Sequence, residues 1–225
     1  TAGWARTIGF LAALIGIFGA LPARAQTDQE KLIAEAEATF SNFLRDPEME
    51  WIQGNIGKAR GVLIIPQIVK AGFILGGSGG RGALFVRDKS GKWLGPAFYS
   101  LATGSIGFQA GVEVSEALHL VMSEKAINSL LSSAFKIGPD VSVAAGPVGA
   151  GRKESIQSDI IAFSRSKGLY GGLNFDGTAV TTSDEWNQAY YGKSVLPPDI
   201  LIRKSVSNKH ADRLRNAIGK AAARK

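Results

Sequence analysis

Hydrophobic and polar positions recur with different periods along this chain, and each change of period marks an element. Residues 58–87, KARGVLIIPQIVKAGFILGGSGGRGALFVR, carry apolar runs at 61–65, 71–75 and 83–86, separated by Pro66 and a glycine cluster. Runs this short, rich in Val, Ile and Phe and bounded by Pro and Gly, predict buried strands rather than helices. The cluster at 76–82 reads as a glycine-rich turn between strands, because only glycine takes positive φ or close backbone approach without steric cost.

Upstream, Thr27 and Glu30 form a capping box. Leu32, Ile33, Ala36, Phe40, Phe43 and Leu44 follow at helical spacing. Asp46-Pro47 restarts a second helix with Met49, Ile52 and Ile56 inward and Gly57 at its end. Downstream, 88–91 predicts a hairpin turn returning through Trp93 and, past Gly95-Pro96, through Phe98 to Leu101. Gly104, Ile106, Phe108, Ala110 and Val112 alternate with Ser105, Gly107, Gln109, Gly111 and Glu113, which predicts one strand across 104–113, and Leu118, Leu120 and Met122 extend the sheet. Ser123 caps a helix carrying Ile127, Leu130, Leu131 and Phe135. Further strands are expected at 141–145, 158–164 and 178–182, with turns at Lys167-Gly168 and Asp176-Gly177. Ser183 opens a short helix with Trp186 and Tyr190, and Pro197-Pro198 is expected to end the domain.

Residues 1–25 have the pattern of a cleavable secretory signal peptide. Arg6 supplies charge, 8–21 is apolar, and Ala23-Arg24-Ala25 is a small-x-small site before Gln26. The run is short for a membrane span, which needs roughly 20 apolar residues; an uncleaved anchor helix is the alternative. Either way the body is expected outside the cytoplasm, in the periplasm or cell envelope. With 28 glycines and 45% hydrophobic residues in 225, a sheet-rich α+β domain fits better than a helical bundle. Cysteine is absent, which removes disulfides, thiolate metal sites and a cysteine nucleophile. The net charge of +7 is local: Arg203, Lys204, Lys209, Arg213, Arg215, Lys220, Arg224 and Lys225 stand against Asp212 alone, while 26–202 nets −2. An evenly basic nucleic-acid face is therefore not expected.

Motifs that would carry chemistry fail on their context. Gly77-x-Gly79-x-x-Gly82 spells a dinucleotide fingerprint, but the following residues read as strand, not as the helix that receives a pyrophosphate. Gly76-x-Ser78-x-Gly80 matches a nucleophile elbow with the same defect, and the only histidines are His119, on a strand, and His210. A hydrolase using Ser78 or Ser105 is the weakest of the readings. Gly192-Lys193-Ser194 lacks the earlier glycine of a phosphate loop, since position 188 is Gln. Glu113, Glu116 and His119 are spaced by threes, which on a strand sends successive members to opposite faces. No catalytic residue, metal or cofactor is expected.

The blocks KARGVLIIPQIVKAGFILGGSGGRGALFVRD, GKWLGPAFYSLATGSIGFQAGVE, DVSVAAGPVGAG, FSRSKGLYGGLNFDG and NQAYYG, in that order, resemble the SYLF domain from about Gln29 to Ile202. The resemblance implies a non-enzymatic lipid-binding domain. Its relatives bind phosphoinositides and other acidic lipids, and fungal members also bind actin. Export would separate this chain from actin, so anionic phospholipid at a membrane surface is the partner expected. A protein partner in the envelope, with no lipid role, is the alternative. The architecture expected is a curved, mainly antiparallel, glycine-rich sheet with N-terminal helices and a few short helices packed on it. The resemblance also implies lipid contact by basic residues near the hub. The candidates are Lys58, Arg60, Lys70, Arg81 and Arg87, of which Lys58 and Lys70 sit at matching motif positions; charge-assisted donors of this kind suit phosphate, and ordinary solubility at strand edges is the alternative. Trp51, Trp93, Phe98, Tyr99, Tyr190 and Tyr191 could serve a membrane interface, although core positions suit most of them. The tail, 203–225, lies beyond the resemblance. Val206, His210, Leu214, Ile218 and Ala221 recur there at near-helical spacing, leaving a basic helix on lipid and a solvated tail both open.

Overall fold

The computed structural model describes residues 26–72, 75–106, 111–149, 155–166, 169–170, 175 and 177–224. The leader, Phe108, Ala110, Lys167-Gly168, Asp176 and Lys225 lie outside these residues.

Helix α1 (Asp28–Arg45) starts at the expected capping box. Thr27 Oγ1 accepts the Glu30 N–H at 3.2 Å and the Glu30 carboxylate accepts the Thr27 N–H at 3.1 Å. Its apolar stripe, including Phe40 and Phe43, is buried. Asp46 caps a 3₁₀ turn (Pro47–Met49), which leads into α2 (Glu50–Asn55).

Among the described residues nine strands form one sheet. They are β1 (Gly61–Gly72), β2 (Leu75–Arg87), β3 (Trp93–Ile106), β4 (Gly111–Val121), β5 (Ala134–Lys136), β6 (Val143–Ala145), β7 (Ile160–Ser166), β8 (Leu169–Tyr170) and β9 (Ala179–Thr182). Their order is β5-β9-β3-β2-β1-β4-β7-β6, with β8 paired to β7 and only β6–β7 parallel. The curved, mainly antiparallel α+β architecture is as expected, and the central order β3-β2-β1-β4 is a Greek key.

Three local expectations are corrected. Residues 61–65 and 71–72 do not form separate strands but belong to β1, and Phe73-Ile74 lie outside the described residues. β1 passes through Pro66 by a bulge that shifts its register against both neighbours between residues 64 and 68, so the missing proline N–H costs no ladder bond. The glycines at 76–82 are not a turn but lie within β2, where they make room for that bulge. A Cβ on Gly80 would fall 2.5 Å from Gln67 O, and one on Gly82 would fall 3.0 Å from Ile65 Cγ1. The alternation at 104–113 spans two strands, because β3 ends at Ile106 and β4 begins at Gly111 on the far side of the β1–β2 hairpin.

The sheet is buried on both faces, which is why β1 begins as an unbroken apolar run. Val62, Ile64, Phe85 and Phe98 face a core closed by α1, α2 and α6 (Asp212–Ala222). Leu63, Ile65, Leu84 and Tyr99 face a second core with α3 (Glu124–Leu131) and α5 (Pro197–Leu201). Ser123 caps α3 as expected, its hydroxyl accepting the Ala126 N–H at 3.0 Å; Phe135, however, belongs to β5. Beneath Ser183 runs α4 (Asp184–Tyr191).

Residues 203–225 are not an appendage, and Pro197-Pro198 opens α5 instead of ending the domain. Ala211, Leu214, Ile218 and Ala221 complete the first core. The end of α6 lies so close to Gly57 that a Cβ there would sit 2.8 Å from Ala222 O. A thin apolar stripe suffices because it fills a gap the other helices leave. Among the described residues no helix is long and apolar enough to cross a membrane.

Candidate functional site

The folded C-terminal segment builds a groove against the turn between β2 and β3. Asp88 organises that turn: its Oδ1 accepts from Ser90 N at 2.9 Å, Ser90 Oγ at 2.6 Å and Lys92 N at 2.9 Å. Gly91, at φ 86°, permits the reversal. Opposite, the segment joining α5 to α6 places Lys204, itself at φ 56°, with Nζ 2.5 Å from Asp88 Oδ2. Arg215 on α6 donates to the carbonyls of Gly95 and Asn208 and pairs with Asp212. Between these walls lies a groove of about 830 Å³ whose charged lining is Lys92, Lys204, Lys209, Arg215 and Lys220 against Asp212.

These cations differ in freedom. Lys204 and Arg215 are committed to carboxylates, whereas Lys92, Lys209 and Lys220 are exposed and have no ionic partner among the described residues. The Lys204 ammonium, followed by the Ser90 hydroxyl, holds the Asp88 carboxyl well below the usual carboxylate range. Asp199 is also lowered, first by the Leu196 N–H and then by Arg203. An anion entering the groove meets free ammonium groups, charge-assisted donors for phosphate or carboxylate oxygens. It finds no nucleophile activated by a base.

The structure divides the sequence-predicted cations. Lys58, Arg60 and Arg87 come to the same end of the sheet as the groove: Arg87 donates to Gly57 O at 2.9 Å and from its backbone to Arg60 O at 2.8 Å, and Gly57 abuts α6. Lys58 Nζ is 2.9 Å from Asn55 Oδ1. Lys70 is far up β1, opposite Ser78 and Glu113, and Arg81 lies over the Trp186 ring at 4.6 Å, so neither joins them. Of the tail set, Arg203 pairs with Asp199 beside the groove, Arg213 turns to Glu37 on α1, and Arg224 is exposed past α6. Lys92 escaped the sequence reading because a lone lysine in a turn carries no pattern.

At the opposite end of the sheet Val69 faces Val114 across β1 and β4 and Ala71 faces Val112 two pairs further, with Lys70 opposite Glu113 between them on the other face. The three valines are exposed, Val112 to 68%. A second cavity, about 550 Å³, lies between this surface and the start of α1, with Asp28, Lys31, Glu35 and Arg81 in its lining. Its charges are mixed and select no ion.

The remaining candidates are structural. Gly77, Gly79 and Gly82 lie within a strand and present no helix N-terminus. Glu116 and His119 face opposite sides of β4. Glu116 accepts from Thr39 of α1 at 2.7 Å and from Arg165, whereas His119 is buried edge-on to Phe175 with ring centroids 4.4 Å apart. Among the described residues neither His119 nitrogen has a hydrogen-bond partner, and burial pushes its pKa down to about 3. Trp51, Trp93, Phe98, Tyr99 and Tyr190 are buried in the cores and Tyr191 is half-buried, its hydroxyl donating to Pro96 O at 2.6 Å; none forms a surface belt.

Comparison with known proteins points one way. The family described as "Ysc84: Las17-binding protein actin regulator" matches residues 102–221, just over half of the chain and through α6, so the family's extent does not stop at Ile202. Protein YSC84 of Saccharomyces cerevisiae is 32% identical over 151 residues, covering 64% of this chain and 32% of its own. LAS seventeen-binding protein 3 of the same yeast is 30% identical over 151 residues, 64% of this chain and 33% of that protein. The human SH3 domain-containing YSC84-like protein 1 is 28% identical over 152 residues, 65% of this chain and 44% of that protein. The chain thus spans a third to under half of the length of these relatives.

Proposed function

This chain belongs to the Ysc84, or SYLF, family, and from that premise we propose that it is a non-enzymatic module holding anionic phospholipid head groups at a membrane surface. The observation that carries the reading is the groove between the 88–92 turn and α6, where five cations face one carboxylate. A cation near an anionic bilayer contributes on the order of 1 kcal/mol, screened by salt. Three free lysines therefore give a salt-sensitive attraction. Localisation in the cell envelope, by a leader cleaved after Ala25, belongs to the same reading; N-terminal sequencing of the cellular protein would then begin at Gln26.

Sedimentation with vesicles tests it. Binding should rise with phosphatidylglycerol content and fall with salt, and Lys92→Gln, Lys209→Gln and Lys220→Gln together should weaken it by at least about tenfold. Equal binding to neutral vesicles at high salt would sink the electrostatic reading. A second reading, docking of another protein, is favoured by the exposed valines at the far end, which have no lysine or arginine in the Val69–Val114 and Ala71–Val112 pairs. It predicts that Val69→Ser with Val114→Ser removes a co-purifying partner without changing vesicle binding. The description of the family speaks of Las17 binding and actin regulation; because this chain spans only part of its relatives, actin co-sedimentation is a separate test.

A further inference from the structure

The groove explains the cations but not two aliphatic side chains beside it. Leu196 is 51% exposed and Ile202 is 53% exposed, one at each end of α5. The helix between them is firmly held. Pro197, Ile200 and Leu201 are buried, and Leu201 packs against the Gly95 bend of β3. The Asp199 carboxylate accepts the Leu196 N–H at 3.0 Å and pairs with Arg203. Two large apolar side chains are thus exposed on an anchored turn. They also stand among cations: Ile202 lies between Ile200 and Lys204, both of which line the groove, and Lys193 donates to Ser205 O at 3.4 Å.

We infer that Leu196 and Ile202 insert into the apolar edge of an anionic bilayer when the groove engages head groups. This inference rests on the head-group reading above. The surroundings select a bilayer over a protein as the occupant. A stable protein interface covers roughly 800 Å² per partner, which two side chains on a five-residue helix do not supply. A bilayer accepts single apolar side chains when neighbouring cations supply attraction to acidic lipid; here the exposed Lys193 and the free lysines of the groove supply it, while Arg203 and Lys204 are held by Asp199 and Asp88. The inference also fixes an orientation. Val112 lies nine residues up β4 from Val121, the partner of Gly61, roughly 30 Å at the rise of a strand, so the valine end points away from the membrane.

Because the chain has no cysteine, single substitutions Leu196→Cys, Ile202→Cys and Val112→Cys can each carry an environment-sensitive fluorophore on the full chain. With vesicles of phosphatidylcholine and phosphatidylglycerol, labels at 196 and 202 should shift to the blue and be quenched by brominated acyl chains, and the label at 112 should not change. Inositol hexakisphosphate, a soluble polyanion, should occupy the groove without shifting either label. Leu196→Ser with Ile202→Ser, which add no charge, should lower vesicle affinity about tenfold and leave polyanion affinity unchanged. Vesicle binding with water-like labels at 196 and 202, or a shift at 112 instead, would overturn the insertion while leaving the head-group reading standing. Failure of the unlabelled chain to bind acidic vesicles would overturn both.

Discussion

Lys204 and Asp88, separated by 116 positions in the chain, meet with Nζ 2.5 Å from Oδ2 and so close one side of the cationic groove. The pair joins the segment before α6 to the turn between β2 and β3. It also neutralises the one groove lysine with a carboxylate partner outside α6. An incoming phosphate must compete with Asp88 for that ammonium. Asp88→Asn keeps an oxygen for the turn's N–H groups and removes the competing charge. Vesicle binding at low salt should strengthen about fivefold, from one freed lysine; unchanged or weaker binding in sedimentation would show that Lys204 takes no part.

His119 makes the fold acid-sensitive. Its pKa of about 3 in the folded chain lies below the ordinary value of 6.5, so the unfolded chain takes the proton first. Stability from this site is complete above about pH 6.5 and is lost as pH falls toward 3, at about 1.4 kcal/mol per pH unit. His119→Leu should flatten that slope. Urea midpoints at pH 7 and pH 4.5 should fall further apart in the parent than in the variant. The depressed Asp88, Asp159 and Asp199 add their own losses at lower pH in both proteins, so the comparison isolates the histidine. Parallel pH profiles would exclude this role.

Ile218 is fully buried in the first core, and Ile218→Ala should cost about 2–5 kcal/mol, read as a lowered urea midpoint. Removing residues 203–225 should then expose apolar surface to dye and lose the cooperative transition. A truncated chain that unfolds with the parent's midpoint would contradict the packing of α6. Gly57→Val offers a milder probe: the added side chain meets Ala222 O, so the end of α6 should exchange its amide hydrogens faster while the central strands remain protected.

Arg165 joins three elements. From β7 its Nε donates to Glu116 Oε1 on β4 at 2.9 Å, its Nη1 lies 3.5 Å from Asp46 Oδ2 after α1, and its guanidinium sits 5.7 Å from the Phe43 ring. Arg165→Met preserves bulk and removes the charged donors. The expected loss is about 1–3 kcal/mol. Vesicle binding of the folded protein should not move, because the site lies away from the groove.

The sequence was most legible where one local signal decides the structure. Thr27 and Glu30 announced a helix start, the apolar runs at 61–65 and 83–86 announced buried strands, and Ser123 announced a cap. What escaped it depends on pairing. Nothing in Ile65-Pro66-Gln67 tells that two neighbouring strands accept the extra residue, and nothing in the glycines of β2 tells that they face that bulge. The alternation at 104–113 continues unbroken across a change of strand because both strands share the same period. Lys58, Arg60 and Arg87 join the tail cations only because α6 folds back onto Gly57. The α6 stripe looked too thin to bury, since a helix pattern reports its own amphipathicity and not the size of the gap it fills.

Because α6 closes the first core, the nascent protein emerges with that side unfinished. Phe40, Phe85 and Phe98 can gather on the sheet early, yet the hollow meant for Leu214 and Ile218 stays wet until some 170 further residues have followed α1. The cations of α6 therefore take up their places opposite the 88–92 turn only once that core is closed.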